Sequence, residues 1–95
     1  MATVSLDWSE HAPPALAGGA VTVGNFDGVH RGHRALVAAA HRLAARVGGP
    51  AVVATFDPPP HHVLHPGSER PPLTTIAQRA ELLRAAGADH VIVLR

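Results

Sequence analysis

The chain has 95 residues, 46% hydrophobic and 16% charged, a balance that describes one globular domain or part of one and excludes a disordered segment. The formal charge is +1; the pI of 9.2 follows from the lack of Lys, Tyr and Cys, which leaves few groups titrating between His and Arg, and the arginines are scattered along the sequence rather than clustered as a nucleic-acid surface requires. Zero cysteine excludes disulfides and thiol chemistry and fits a cytoplasmic protein; Met1 to Glu10 lacks the pattern of a signal peptide, and no apolar run reaches membrane-spanning length.

In chain order, Val4 to Trp8 has the composition of a short lead-in strand, and His11 to Gly19, with two prolines and two glycines, reads as a loop. Ala20 to Phe26 is a near-continuous apolar strand, as expected where both sheet faces are covered. Gly32 to Val47 has helical spacing, with Leu36, Ala40, Leu43 and Val47 as its apolar stripe, and Gly48-Gly49-Pro50 ends it. Ala51 to Phe56 is a second apolar strand, stopped by Asp57-Pro58-Pro59-Pro60. His61 to Pro72 is a polar, proline-rich loop with room for a helical turn at Val63-Leu64. Thr75 opens a second helix with capping-box spacing to Gln78, an apolar stripe of Ile76, Ala80 and Leu83, and an end at Gly87. His90 to Leu94 is a third strand. Strand-helix alternation predicts a doubly wound α/β unit with a parallel sheet.

The most informative residues are Gly24-Asn25-Phe26-Asp27-Gly28-Val29-His30-Arg31-Gly32-His33. They join a strand to a helix through a glycine-rich turn. Helix-start N–H groups point outward, the helix dipole puts partial positive charge there, and glycines allow close approach. The pattern G-x-F-D-x-x-H-x-G-H therefore suits a phosphate chain, with imidazoles as directed donors. It is neither a Walker loop, which needs a lysine, nor a G-x-G-x-x-G fingerprint. The bland alternative is an ordinary strand-to-helix turn, but two His, one Asp and three Gly exceed what a turn requires. Zinc is the rival ligand; it would need His61, His62 or His65 beside His30 and His33. Asp57 closes the second strand at the sheet edge where α/β folds bind ligands, or simply initiates a turn before proline. The cluster His61, His62 and His65 reads as a solvated loop, Phe56 as core, and Thr74 and Thr75 as helix caps.

These residues resemble the signature of the bacterial FAD synthetase domain, the N-terminal part of bifunctional riboflavin kinase/FMN adenylyltransferases. Ala54-Thr55-Phe56-Asp57-Pro58, Leu73-Thr74-Thr75 with Arg79 and Glu81-Leu82-Leu83, and Gly87-Ala88-Asp89-His90-Val91 resemble the same family, from about Gly19 onward. The resemblance implies a Rossmann-like fold of the H-x-G-H nucleotidyltransferase type. It implies transfer of AMP from ATP to FMN, giving FAD and pyrophosphate, with Mg²⁺ carried on ATP and no metal ligands of its own among these residues. It implies catalytic roles for His30 and His33. Nucleotide and flavin contacts fall to Gly24, Asn25, Phe26, Asp27, Gly28, Gly32, Asp57 and Pro58, and neither nucleic acid nor membrane is a partner. Pro59 stands where the family often has a histidine.

The family continues beyond the third strand with a flavin- and metal-contacting segment, an I-S-S-T-x-x-R motif and a kinase domain. Residues 1–95 are thus expected to be the N-terminal part of the adenylyltransferase domain, cut after the third main strand, weakly stable and weakly active alone. Two alternatives stay open: an adenylyltransferase with another phosphate acceptor, and a non-catalytic nucleotide- or flavin-binding module.

Overall fold

The structure, a computed structural model, describes residues 2–7, 9–57 and 73–95. Four strands form one parallel sheet: β1 (Ala2–Leu6), β2 (Ala20–Val23), β3 (Ala51–Phe56) and β4 (His90–Leu94), in the spatial order β1-β4-β3-β2. Among the described residues two α-helices alternate with them, α1 (Arg31–Val47) and α2 (Ile76–Ala85). The lead-in strand is real and begins at Ala2, so four strands stand where three were prominent in the sequence.

Connection handedness explains the layering. The chain steps from β2 to β3 to β4 in one direction, so right-handed crossovers place both helices on the same face. There Val37 of α1 and Ala80 and Leu83 of α2 pack with Val53 and Val91. The step from β1 to β2 runs the opposite way and so crosses the other face. It carries a single 3-10 turn, Pro14–Leu16, whose Leu16 packs with Leu6, Val52, Ala54 and Ile92.

The α1 stripe agrees with the sequence reading at Ala40 and differs at its larger members. Val37, Ala40 and Ala44 are buried, whereas Leu36, Leu43 and Val47 are more than half exposed. Two small residues let α1 lie close on the sheet, with Ala40 and Ala44 against Ala20 and Ala51. At 100° per residue Leu36, Leu43 and Val47 then fall on one flank and His41 on the other. His41 Nδ1 donates to Gly87 O at the end of α2, 2.9 Å away, so the apolar flank faces away from α2. It lies beside β2, whose outer edge has no neighbouring strand among the described residues. On the opposite face of that edge Val21 and Val23 are also exposed.

Helix ends follow their local chemistry. Gly48 takes a left-handed conformation (φ 74°) and its N–H reaches Ala44 O. Thr75 and Gln78 form the expected reciprocal box, at 3.1 and 2.9 Å. Asp89 fastens the bottom of the sheet by accepting the Ala51 N–H on its carboxylate and donating its own N–H to Ala51 O. Gly19 is required by close approach, because a Cβ there would run into the Pro50 backbone.

Candidate functional site

All strands point their carboxyl ends to one edge, and the glycine turn leaves β2 there. The strand ends at Val23, not Phe26. Gly24 N–H still reaches Ala54 O (3.0 Å), but Phe26 then takes φ 52° and Val29 φ 45°. Left-handed backbone at such bulky residues costs of order 1–3 kcal/mol each. Both side chains are buried in the core, at 1% and 2% exposure, and burial of that size returns roughly 1.5–3 kcal/mol each. Burial thus offsets the backbone cost, and side-chain hydrogen bonds add to it in holding the turn. Gly28 has φ 82°, and a Cβ there would lie 3.1 Å from the His30 ring.

Those bonds centre on Asp27. Its carboxylate accepts the N–H groups of Leu73 and Thr74, each at 2.9 Å, and the Thr74 hydroxyl at 2.8 Å. Arg79 Nη2 lies 3.6 Å from the same Oδ1. Burial pushes the Asp27 carboxyl up, but the Leu73 and Thr74 bonds and the Arg79 charge outweigh it and hold the group below its ordinary range. Asp27 is therefore turned toward its own protein. Thr74, read as a cap, belongs instead to this network and accepts the Gly28 N–H at 3.4 Å. The hydroxyl of buried Thr55 donates to Asn25 O at 2.7 Å. Burial of the whole Arg79 side chain carried no signal in helical periodicity; only its place beside Leu73-Thr74-Thr75 in the family-like segment marked it.

His30 is the N-cap of α1. Its backbone N–H donates to His33 Nδ1 at 3.1 Å, which fixes neutral His33 as the Nε2–H tautomer. The Phe26 ring supports His33 edge-on, 5.1 Å between centroids, and the His30 ring lies 5.6 Å from it. The first N–H groups of a helix have no intrahelical acceptor. The first turn of α1 holds no acidic residue, and Arg31 and Arg34 are exposed beside it. The site thus favours an anion. A Cβ at Gly32 would meet nothing within 4 Å.

Asp57 ends β3 at the same edge. Its N–H holds Leu94 O at 2.9 Å and its side chain is exposed. Phe56 is only half-buried, with a backbone oxygen that accepts from Arg79. Pro58, the turn at Val63-Leu64 and the histidines His61, His62 and His65 lie outside the described residues. Among the described residues, no three His, Cys, Asp or Glu side chains form a group that could hold a metal ion, and no helix is long and apolar enough to cross a membrane.

Comparison with known proteins agrees with this architecture. The chain is 37% identical over 81 residues to a bifunctional riboflavin kinase/FMN adenylyltransferase of Pseudomonas fluorescens, covering 85% of this chain and 26% of the relative. It is 35% identical over 75 residues to the protein of that name from Escherichia coli K12, covering 79% and 24%. A solved structure from Streptococcus pneumoniae, named a macrolide-efflux protein, superposes with a TM-score of 0.77 at 28% identity, over 97% of this chain and 31% of that one. The chain spans about a quarter of the length of these curated relatives. The FAD synthetase family model matches residues 12–95, and the chain belongs to the FAD synthetase family.

Proposed function

We propose that this chain is the ATP-gripping part of an FMN adenylyltransferase. On this reading residues 1–95 are the N-terminal part of that domain in a cytoplasmic protein, with a riboflavin kinase region elsewhere, as the relatives' names carry. The observation that supports it best is His33. With Nδ1 occupied by the His30 N–H, Nε2–H is the donor left to a neutral ring in the acid-free first turn of α1, at the carboxyl edge of a parallel sheet, where α/β folds bind ligands.

The chemistry asks little covalent work of the protein. A phosphate oxygen of FMN attacks the α-phosphorus of ATP, the bond from that phosphorus to the bridging oxygen of pyrophosphate breaks, and the electron pair leaves with pyrophosphate. Positioning and charge stabilisation carry such a transfer. The N–H groups opening α1 and the His33 Nε2–H hold phosphate oxygens. His30, exposed beside them, supplies a second imidazole. Gly24, Asn25, Phe26 and Gly28 act through backbone shape, and Asp27 through the bonds that fix it. Asp57 and Pro58 fall to the flavin side. On this reading Mg²⁺ carried on the ATP phosphates would neutralise part of their charge.

Titration of the chain with Mg–ATP, followed by backbone amide spectra, tests the reading. Shifts concentrated at residues 24–33 are expected; nucleotide bound elsewhere, or zinc bound at His30 and His33 in its place, would overturn it. A parallel FMN titration and FAD assay separates the finer alternatives. ATP binding without FMN recognition means another acceptor, and binding of both without product means a binding module.

A further inference from the structure

We propose that Arg79 is a positioning residue for this phosphate grip, holding the glycine turn in shape from behind without touching the nucleotide. The inference rests on the reading above. Arg79 is 2% exposed on the inner side of α2, beside Ala80 and Leu83. A guanidinium is costly to bury unless its donors are matched. Each of its acceptors here belongs to a wall of the turn. Nη1 donates to Thr55 Oγ1 at 3.2 Å and to Phe56 O at 3.3 Å. Nε donates to Thr74 Oγ1 at 3.4 Å, and Nη2 faces Asp27. Thr55 in turn holds Asn25 O, and Thr74 holds both Asp27 and the Gly28 N–H. Turn positions 25, 27 and 28 are thus each in contact with the guanidinium or one hydroxyl away from it. The fork of an arginine is what lets one side chain serve the end of β3, the segment before α2 and the turn together.

The competing role is plain fastening of α2 to the sheet, and the test must separate the two. Binding of Mg²⁺-tripolyphosphate and of Mg–ATP is measured for the unaltered chain and for Arg79→Met, Arg79→Lys, Thr55→Val and Ile92→Ala. Ile92 packs on the opposite face of the sheet and reports destabilisation alone. Arg79→Met is expected to weaken tripolyphosphate binding by about tenfold or more, the scale of lost charged hydrogen bonds. Arg79→Lys, which keeps the charge but not the fork, should recover only part of that loss. Thr55→Val, close in volume, removes the hydroxyl through which Arg79 reaches Asn25 and should cost about fivefold. Ile92→Ala should lower Tm yet bind normally below it. Unchanged affinity in Arg79→Met, or in Thr55→Val where Arg79→Met does not fold, overturns the role, as does an equal loss in Ile92→Ala. If the unaltered chain binds neither probe, the site reading itself falls and this role falls with it.

Discussion

His30 donates its backbone N–H to Nδ1 of His33, 3.1 Å away, and this one bond both caps α1 and decides which imidazole nitrogen is left for a ligand. The two tasks can be separated. Glutamine is a natural partner in a capping box, so His33→Gln should keep the helix start and leave Tm within a few degrees. It lacks the rigid imidazole that Phe26 holds edge-on, so Mg–ATP affinity should fall. His33→Ala removes both features and should cost about 0.5–2 kcal/mol of stability as well. In a chain with adenylyltransferase activity its barrier should rise by roughly 3–4 kcal/mol. Calorimetric titration and thermal melts of the two variants check this; equal binding by both and by the parent would remove His33 from the site.

Gly32 gives a prediction with opposite signs for stability and binding. Its φ is ordinary and its would-be Cβ meets open space, so nothing in the fold demands glycine. Gly32→Ala should stabilise α1 by up to about 0.5–1 kcal/mol. If phosphate comes down onto this backbone, the same methyl obstructs it and Mg–ATP binding weakens. Higher Tm with unimpaired ATP binding would show that the ligand lies elsewhere.

Asp27 makes the acid stability of the chain readable. Its folded pKa lies below its ordinary value of 3.8. The stability it contributes is therefore whole above that value and is lost as the pH falls below it, through the lower folded pKa. Asp27→Asn removes this dependence and leaves buried Arg79 without its counter-charge, at a cost of about 1–3 kcal/mol near neutral pH. Glu10 is also held below its ordinary value of 4.5, first by the Asp7 N–H and further by Arg95. The variant's stability should accordingly fall less steeply on acidification without becoming flat. Denaturant melts across the acid range measure it, and an unchanged acid slope would contradict the Asp27 network.

Much of this was written in local chemistry. The ends of β3 and β4, the Thr75–Gln78 box and the turn between β2 and α1 follow from residue type and spacing. What escaped depends on partners distant in sequence. Leu36, Leu43 and Val47 share helical spacing with Ala40, but the sheet meets Val37, Ala40 and Ala44, and the choice rests on the alanines of the sheet and on the end of α2, both distant in sequence. Phe26 looked like the end of a strand because its burial continues the apolar run; its left-handed φ is imposed by the turn. Arg79 stood in a family-like segment, but its burial was not legible, because nothing local announces that Asp27, 52 positions earlier, and Thr55 will converge on it.

The exposed flank of α1 and the free edge of β2 give the last prediction. An unpaired strand edge with no lysine or proline to guard it invites association. Here the edge is bracketed by Val21 and Val23 on one face and by Leu36, Leu43 and Val47 on the other, all more than half exposed. The 95 residues by themselves should therefore be marginally stable and self-associate with rising concentration. Val21→Lys combined with Leu43→Glu places charges on both sides of the edge and touches neither the turn nor the core. Sedimentation velocity should show the parent moving to larger species between micromolar and submillimolar concentration, and the double variant staying monomeric. A parent that is monomeric throughout and melts cooperatively would mean that β2 is protected by something other than a partner along its edge.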